Sequence, residues 1–321
     1  MTAEYSKALD TSLNGLAWPD WLERLAEATD ADGYAESLGG CHAAIFVEQK
    51  PTLLVSFEQF ESIRVLSPEA QPLGWHLAKA LGWSHLCLAC QGETWFREGR
   101  VYGYFDRLVD DGFFEEFDQV IFYGAGACGY AAAAFSVAAP GARVLAIQPQ
   151  ATLDPRMTEW DDRFRAMRRT DFATRYGYAP DMLDAADAAF VLYDPDIELD
   201  AMHAALFARS NVTRFRMRFM GPRLDRGLLR MNLLLRILAQ LSGGKLSELA
   251  LARLYRARRE DVPYLKSALG RLEDDGRLRL VARMAGHVMR TTPGPRFRRS
   301  LRAAYQQAAE LGLEMPPNPE A

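Results

Sequence analysis

The sequence predicts an α/β protein, a doubly wound and mainly parallel sheet followed by a smaller all-α C-terminal domain. Three observations point there. Short apolar runs rich in Val, Ile and aromatics alternate with stretches of helical length from about residue 42 to 219, the pattern of strands buried on both faces by helices. After Gly221-Pro222 the strand signal stops and amphipathic helical periodicity takes over. The chain has 321 residues, 49% hydrophobic and 25% charged, an ordinary globular composition long enough for one large core and an appendage.

Residues 1–40 read as a polar start and an amphipathic helix, a helical extension in which Pro19 opens the first turn and Trp18, Trp21, Leu22 and Leu25 share a face. Gly39-Gly40 ends it. Strands are expected at 42–48, 52–57, 84–90, 119–123, 142–147, 188–193 and 212–219, each a run of apolar or β-branched residues. Helices fit between them at 72–82, 100–112, 127–138, 156–174 and 199–208, broken at Pro140-Gly141 and Ala179-Pro180. The domain boundaries follow: 1–40, 41–222, a basic helical domain at 223–312, and a tail at 313–321. Helices in the third region are expected at 224–241, 245–258, 260–275, 277–290 and 297–311, joined by short Gly-containing turns such as Ser242-Gly243-Gly244.

The net charge of −4 conceals an asymmetry: residues 1–221 hold 19 Lys and Arg against 32 Asp and Glu, whereas residues 222–321 hold 19 against 10. Only five of the 38 cations are Lys, so the basic half is an arginine surface, suited to docking on the acidic domain or to planar anions. No stretch approaches the roughly 18 apolar residues of a membrane-spanning helix, and the first residues lack a basic segment followed by an apolar run. A cytoplasmic protein without a membrane span is expected. Four cysteines, Cys41, Cys87, Cys90 and Cys128, are too few for a disulfide framework in a chain this long.

The most informative stretch is Asp118-Gln119-Val120-Ile121-Phe122-Tyr123-Gly124-Ala125-Gly126-Ala127-Cys128-Gly129-Tyr130-Ala131-Ala132. A buried strand enters a turn of small residues and leaves directly into a helix, the construction of a nucleophile elbow. The segment resembles the strand, G-x-S-x-G, helix pattern of the α/β-hydrolase fold, and in particular a bacterial branch with an elbow like G-x-S-x-G-G-Y-A-A that includes accessory-secretion and polysaccharide-linked proteins. Thr52–Phe57 is similar to the strand before that family's oxyanion loop, and Gln148–Pro155 with Trp160–Phe164 to the stretch after its next strand. The resemblance spans about residues 42–240.

On that pattern the nucleophile falls at Gly126, which has no side chain, with Gly124 and Cys128 at the flanking glycine positions. The resemblance places the acid at Asp194 or Asp196, but Phe219-Met220-Gly221-Pro222-Arg223-Leu224, where the base belongs, contains no histidine. Ser-His-Asp chemistry needs a base to take the nucleophile's proton, so no catalytic residue is assignable and the reading leans away from an enzyme. The fallback set is Cys128 as thiol nucleophile with Asp194 and His203. The alternative functions are therefore a thiol-dependent hydrolase or acyltransferase using Cys128, or a nucleic-acid-binding regulator acting through the arginine-rich helices. The favoured reading is a non-catalytic protein that binds a small molecule or a protein partner, with a link to polysaccharide or acyl metabolism by analogy and a homo-oligomer as a possible assembly.

The binding cleft is expected at the carboxyl ends of the strands, lined by Gly124, Gly126, Ala127, Gly129, Glu58, Gln59, Gln150 and Asp196. No cofactor and no metal are expected, since none of the five histidines has ligand spacing. Cys87-Leu88-Ala89-Cys90 has redox spelling, but inside a strand that spacing sends the two thiols to opposite faces. Ser242-Gly243-Gly244-Lys245-Leu246-Ser247 resembles the S-G-G-x-D-S loop of phosphoadenosine-phosphosulfate reductases, yet Leu246 stands in place of the acid and no cysteine follows Cys128. A reductase function has no support in these residues. Residues 246–280 have the outline of a winged helix, but Asp261, Glu273, Asp274 and Asp275 would repel DNA, and nucleic acid is disfavoured.

Overall fold

The computed structural model describes residues 7–49, 51–291 and 294–317. Its centre is an eight-stranded sheet: β1 (Gly33–Ser37), β2 (His42–Val47), β3 (Thr52–Gln59), β4 (Ser84–Cys90), β5 (Gln119–Ala125), β6 (Arg143–Ile147), β7 (Ala188–Tyr193) and β8 (Val212–Arg216). The spatial order is β1-β2-β4-β3-β5-β6-β7-β8. β2 runs antiparallel to both β1 and β4, and every other pair is parallel. This mostly parallel, helix-covered sheet has the α/β-hydrolase architecture that the sequence led us to expect.

Helices α1 (Trp18–Thr29), α2 (Phe60–Leu66) and α3 (Leu73–Leu81) cover one face near β2 and β4, where Trp21, Leu25, Phe60 and Trp75 pack on Ile45, Cys87 and Ala89. α4 (Gly99–Asp110) and α5 (Ala127–Phe135) cover the other face, where Phe57, Phe105, Phe122 and Phe135 meet. α5 is almost entirely buried because four consecutive alanines, Ala131–Ala134, leave it thin enough to lie against the strands. Cys87 and Cys90 belong to different clusters on opposite faces, as strand geometry requires.

Four differences from the sequence reading have clear causes. β1 lies inside the segment read as a helical extension. Its GYAES sequence carries no alternation, and its order comes from pairing with β2, where Tyr34 sits beside Phe46 and its hydroxyl lies 2.7 Å from that of Tyr104. The helix expected over 156–174 shrinks to α6 (Pro155–Thr158) and a 3-10 turn at Arg165–Arg169. There the Asp161 carboxylate accepts the Arg163 amide at 3.0 Å, a local bond that competes with helix continuation. α7 (Ala179–Met182) and α8 (Glu198–Leu206) complete the crossovers.

Thirdly, the helix expected at 224–241 is two: α9 (Leu224–Arg230) and α10 (Leu234–Ser242). Asn232 takes a left-handed φ of 53°. The Leu233 amide donates to Leu228 O at 2.8 Å and that of Asn232 to Leu229 O at 2.9 Å, which together make a Schellman stop. Fourthly, a boundary at 222 divides a packed layer. Leu228, Ile237, Leu238 and Leu241, with Leu251 and Leu254 of α11 (Glu248–Leu254), share one cluster with Leu54, Ile121, Leu145 and Leu192 of the sheet. α12 (Val262–Asp274), α13 (Leu278–Thr291) and α14 (Pro295–Glu310) share a separate core around Leu269, Val281, Ala285, Phe297 and Leu301. The tail expected at 313–321 lies in part outside the described residues. Among the described residues, no helix is long and apolar enough to cross a membrane.

Candidate functional site

The elbow forms because β5 must reverse into α5 within one residue. Gly126 occupies φ 60°, ψ −125°, a conformation strained for any residue with a Cβ. Its amide donates to Ile147 O at 2.8 Å and its carbonyl accepts the Tyr130 amide at 3.0 Å, so both backbone groups are held. A Cβ at Gly124 would lie 2.0 Å from the carbonyl oxygen of Cys128, and one at Gly129 would lie 3.1 Å from that of Ile147. These two glycines let the helix cross its strand and serve packing. At Gly126 a Cβ would meet nothing within 4 Å. The tip of the elbow is open, with only hydrogen facing the space.

That space belongs to a cavity of about 340 Å³ at the carboxyl ends of the strands. Glu58, Gln59, Gly126, Ala127, Cys128 and Gln150 line it, as does the aromatic group Phe57, Trp95, Tyr123 and Phe164. Gly124, Gly129 and Asp196 are not among its lining residues. Asp196 instead binds Arg218 at 2.8 Å. Glu93, Trp95 and Asp200 also line the cavity; each comes from a loop or helix distant in the chain from the elbow, and no sequence motif marks it.

The fallback catalytic residues do not converge. Asp194 is buried at the end of β7, but its carboxylate accepts the amides of Asp196 at 3.0 Å and Gly221 at 2.8 Å. The loop that would carry a base is thus pinned by its own backbone: Gln148 accepts the Leu224 amide at 2.9 Å and donates to Gly221 O at 3.2 Å. Pro222 and Arg223 are what this loop presents to the cavity, and no histidine is among the lining residues. His203 is fully buried elsewhere. The Ala151 amide donates to its Nδ1 at 3.1 Å, which leaves Nε2 as the protonated nitrogen, 2.9 Å from Asp161 Oδ2. Burial alone would raise the Asp161 carboxyl, yet bonds from His203 and Arg163 prevail and hold it far below the usual range. Arg163 reaches on to Asp200 at 2.6 Å, so this buried network braces the cavity wall.

Cys128 lines the cavity, but a hydrogen bond with the Cys90 thiol and then burial push its own thiol well above the ordinary range. The N-terminus of α5 does not offset this. Glu58 is 7% exposed. Desolvation raises its carboxyl against hydrogen bonds from Ser56 and from the Leu73 and Gly74 amides. Ser56 Oγ lies 2.6 Å from Glu58 and 2.8 Å from His85 Nε2. Glu58, His85 and Cys87 come close enough to suggest a metal site, but the carboxylate is already taken up by the start of α3 and by Ser56, so the group fits a structural clasp.

Several solved structures are similar to this chain at low identity. Est1E from Butyrivibrio proteoclasticus is matched over 59% of this chain and 89% of its own at 10% identity, TM-score 0.37. A hyperthermophilic esterase from Pyrobaculum calidifontis is matched over 71% and 92% at 16% identity, TM-score 0.39. A chain of a glycosylation-associate-protein complex from Streptococcus agalactiae is matched over 62% of this chain but only 44% of that one, at 15% identity and TM-score 0.41. No protein-family model matches the sequence, and no curated protein matches it. What the site does has to come from its own residues.

Proposed function

We propose that this chain acts by binding, as an α/β-hydrolase-fold protein whose cavity holds a small molecule without cleaving it. The observation that carries the reading is Gly126, set in the strained elbow conformation with open space before it. The backbone retains the shape that presents a nucleophile, and the residue supplies none. Acyl transfer also needs an imidazole or its equivalent within hydrogen-bond reach; the loop after β8 offers Pro222 and Arg223, and Asp194 is engaged by backbone amides. The thiol alternative through Cys128 meets a raised thiol with a neutral partner, the reverse of the electropositive setting that activates cysteine.

The test is mass spectrometry of the intact protein after exposure at pH 7 to p-nitrophenyl acetate and, separately, iodoacetamide. We expect no acyl adduct on Cys128 and alkylation far slower than at the exposed Cys41. Rapid acylation of Cys128, or turnover of the ester, would overturn the proposal in favour of a thiol hydrolase.

A further inference from the structure

Tyr123 is the last large side chain of β5 before the elbow, and it lines the cavity. It is 4% exposed. Its hydroxyl makes no hydrogen bond among the described residues and is not one of the fully enclosed polar atoms, so the phenol keeps a polar end open to the cavity that it lines. Burial first, and then the nearby Asp225 and Glu58 carboxylates, push its ionisation well above the ordinary range. The group therefore stands as a neutral hydroxyl whose oxygen can accept. A phenol buried this deeply normally has a hydrogen-bond partner, and the protein supplies none.

Charge narrows what the partner is. Of the charged residues on the wall, Glu93, Arg163 and Arg223 are exposed, whereas Glu58 and Asp200 are buried and Asp225 is half-buried. The exposed Glu93 and Arg223 offset each other. Arg163 is bound to Asp161 and Asp200, and Glu58 is held by Ser56 and the Leu73 amide. Asp225, on the first turn of α9, is left without a hydrogen bond or an ion pair among the described residues. An anion would be repelled from this wall. A neutral ligand would cover the Asp225 carboxylate without a counter-charge, at the desolvation cost of an unpaired ion.

We propose that the cavity takes a small organic cation, a primary ammonium on an apolar body, whose N–H groups donate to the Asp225 carboxylate and to the Tyr123 hydroxyl oxygen. An ammonium has three donors and no acceptor, which suits an unpaired anion with a neutral oxygen nearby. Leu66, Leu73 and Phe164, each half-buried on the wall, give the apolar body a surface to pack on. This rests on the binding reading above and names its ligand class.

The experiment is a ligand-observed NMR titration of the full chain at pH 7 with three probes at millimolar concentration that share a phenyl body and differ in one polar group: 2-phenylethylammonium, 2-phenylethanol and 3-phenylpropionate. The ammonium is expected to bind, and the alcohol and the carboxylate to bind at least about tenfold more weakly, the worth of one charge-assisted hydrogen bond. Asp225→Asn should weaken the ammonium by about tenfold or more and abolish its advantage over the alcohol. Tyr123→Phe keeps the ring, loses only the hydroxyl, and should weaken the ammonium by up to about tenfold. Circular dichroism and thermal unfolding check that both variants fold, and the ranking of the three probes on the parent decides the matter if either does not. Absence of ammonium binding, alcohol or carboxylate binding as tight as that of the ammonium, or a folded variant binding the ammonium like the parent would each overturn the proposal. Those results leave the non-catalytic reading standing, because that falls only to acylation or turnover.

Discussion

Acid should unfold this protein partly through one residue, His85. Its ring is fully buried between β4 and α3, so close to Gly74 that a Cβ there would lie 2.0 Å from Nε2. Burial takes its ionisation from the ordinary 6.5 down to about 3. In the unfolded chain the imidazole protonates near 6.5, while in the folded chain it stays neutral until about 3. The unfolded state therefore binds the extra proton, and stability falls as pH drops through that window. At about 1.4 kcal/mol for each pH unit the loss reaches about 5 kcal/mol by pH 3, a large share of the roughly 5–15 kcal/mol a domain has. Glu58 acts oppositely: its raised carboxyl takes up a proton in the folded state first, so it favours the fold as pH falls toward the unfolded-chain value. The assay is urea unfolding at a series of pH values from 7 to 4, for the parent and for His85→Gln, which cannot charge. The parent should lose stability more steeply below pH 6.5, the variant should not, and the difference in slope should approach about 1.4 kcal/mol per pH unit. Equal slopes would refute the reasoning.

Two further outcomes follow from the elbow. Gly124→Ala should lower stability by about 2–3 kcal/mol, because the new Cβ would meet the Cys128 carbonyl at 2.0 Å and backbone cannot swing aside as a side chain can; thermal unfolding checks this, and a neutral result would contradict the crossing geometry. Gly126→Ser should fold with a cost of only about 1 kcal/mol for its left-handed φ, since its side chain enters open space. It should gain no activity toward p-nitrophenyl acetate, because a serine there has no imidazole to deprotonate it; measurable turnover would show that another group serves as base.

Much of the sheet was legible in the sequence because central strands announce themselves. Val120–Tyr123, Val144–Ile147 and Ala189–Leu192 are continuous apolar runs, as burial on both faces demands. The edge strand β1 was not, since GYAES has no pattern of its own and is ordered by its neighbour. That Gly126 puts no side chain at the tip of the turn was likewise readable, for one residue type decides it locally. The misplaced helix at 156–174 and the break at Asn232 turned on side-chain and backbone bonds too local for periodicity to register.

The amino-acid order alone thus determined the α/β succession, the small-residue turn after β5, and the missing side chain at its tip. These are properties of near neighbours, set by sterics and by burial period. Only the tertiary structure decided which distant residues meet at that tip: Trp95 from beyond β4, Gln150 from beyond β6, and Asp200 from α8. It also decided that Asp194 holds the Gly221 amide, that His203 turns to Asp161, and that Arg163 joins two carboxylates. Hydrogen bonds and desolvation depend on distances through space, and the chain brings those partners together only when the sheet has closed its order.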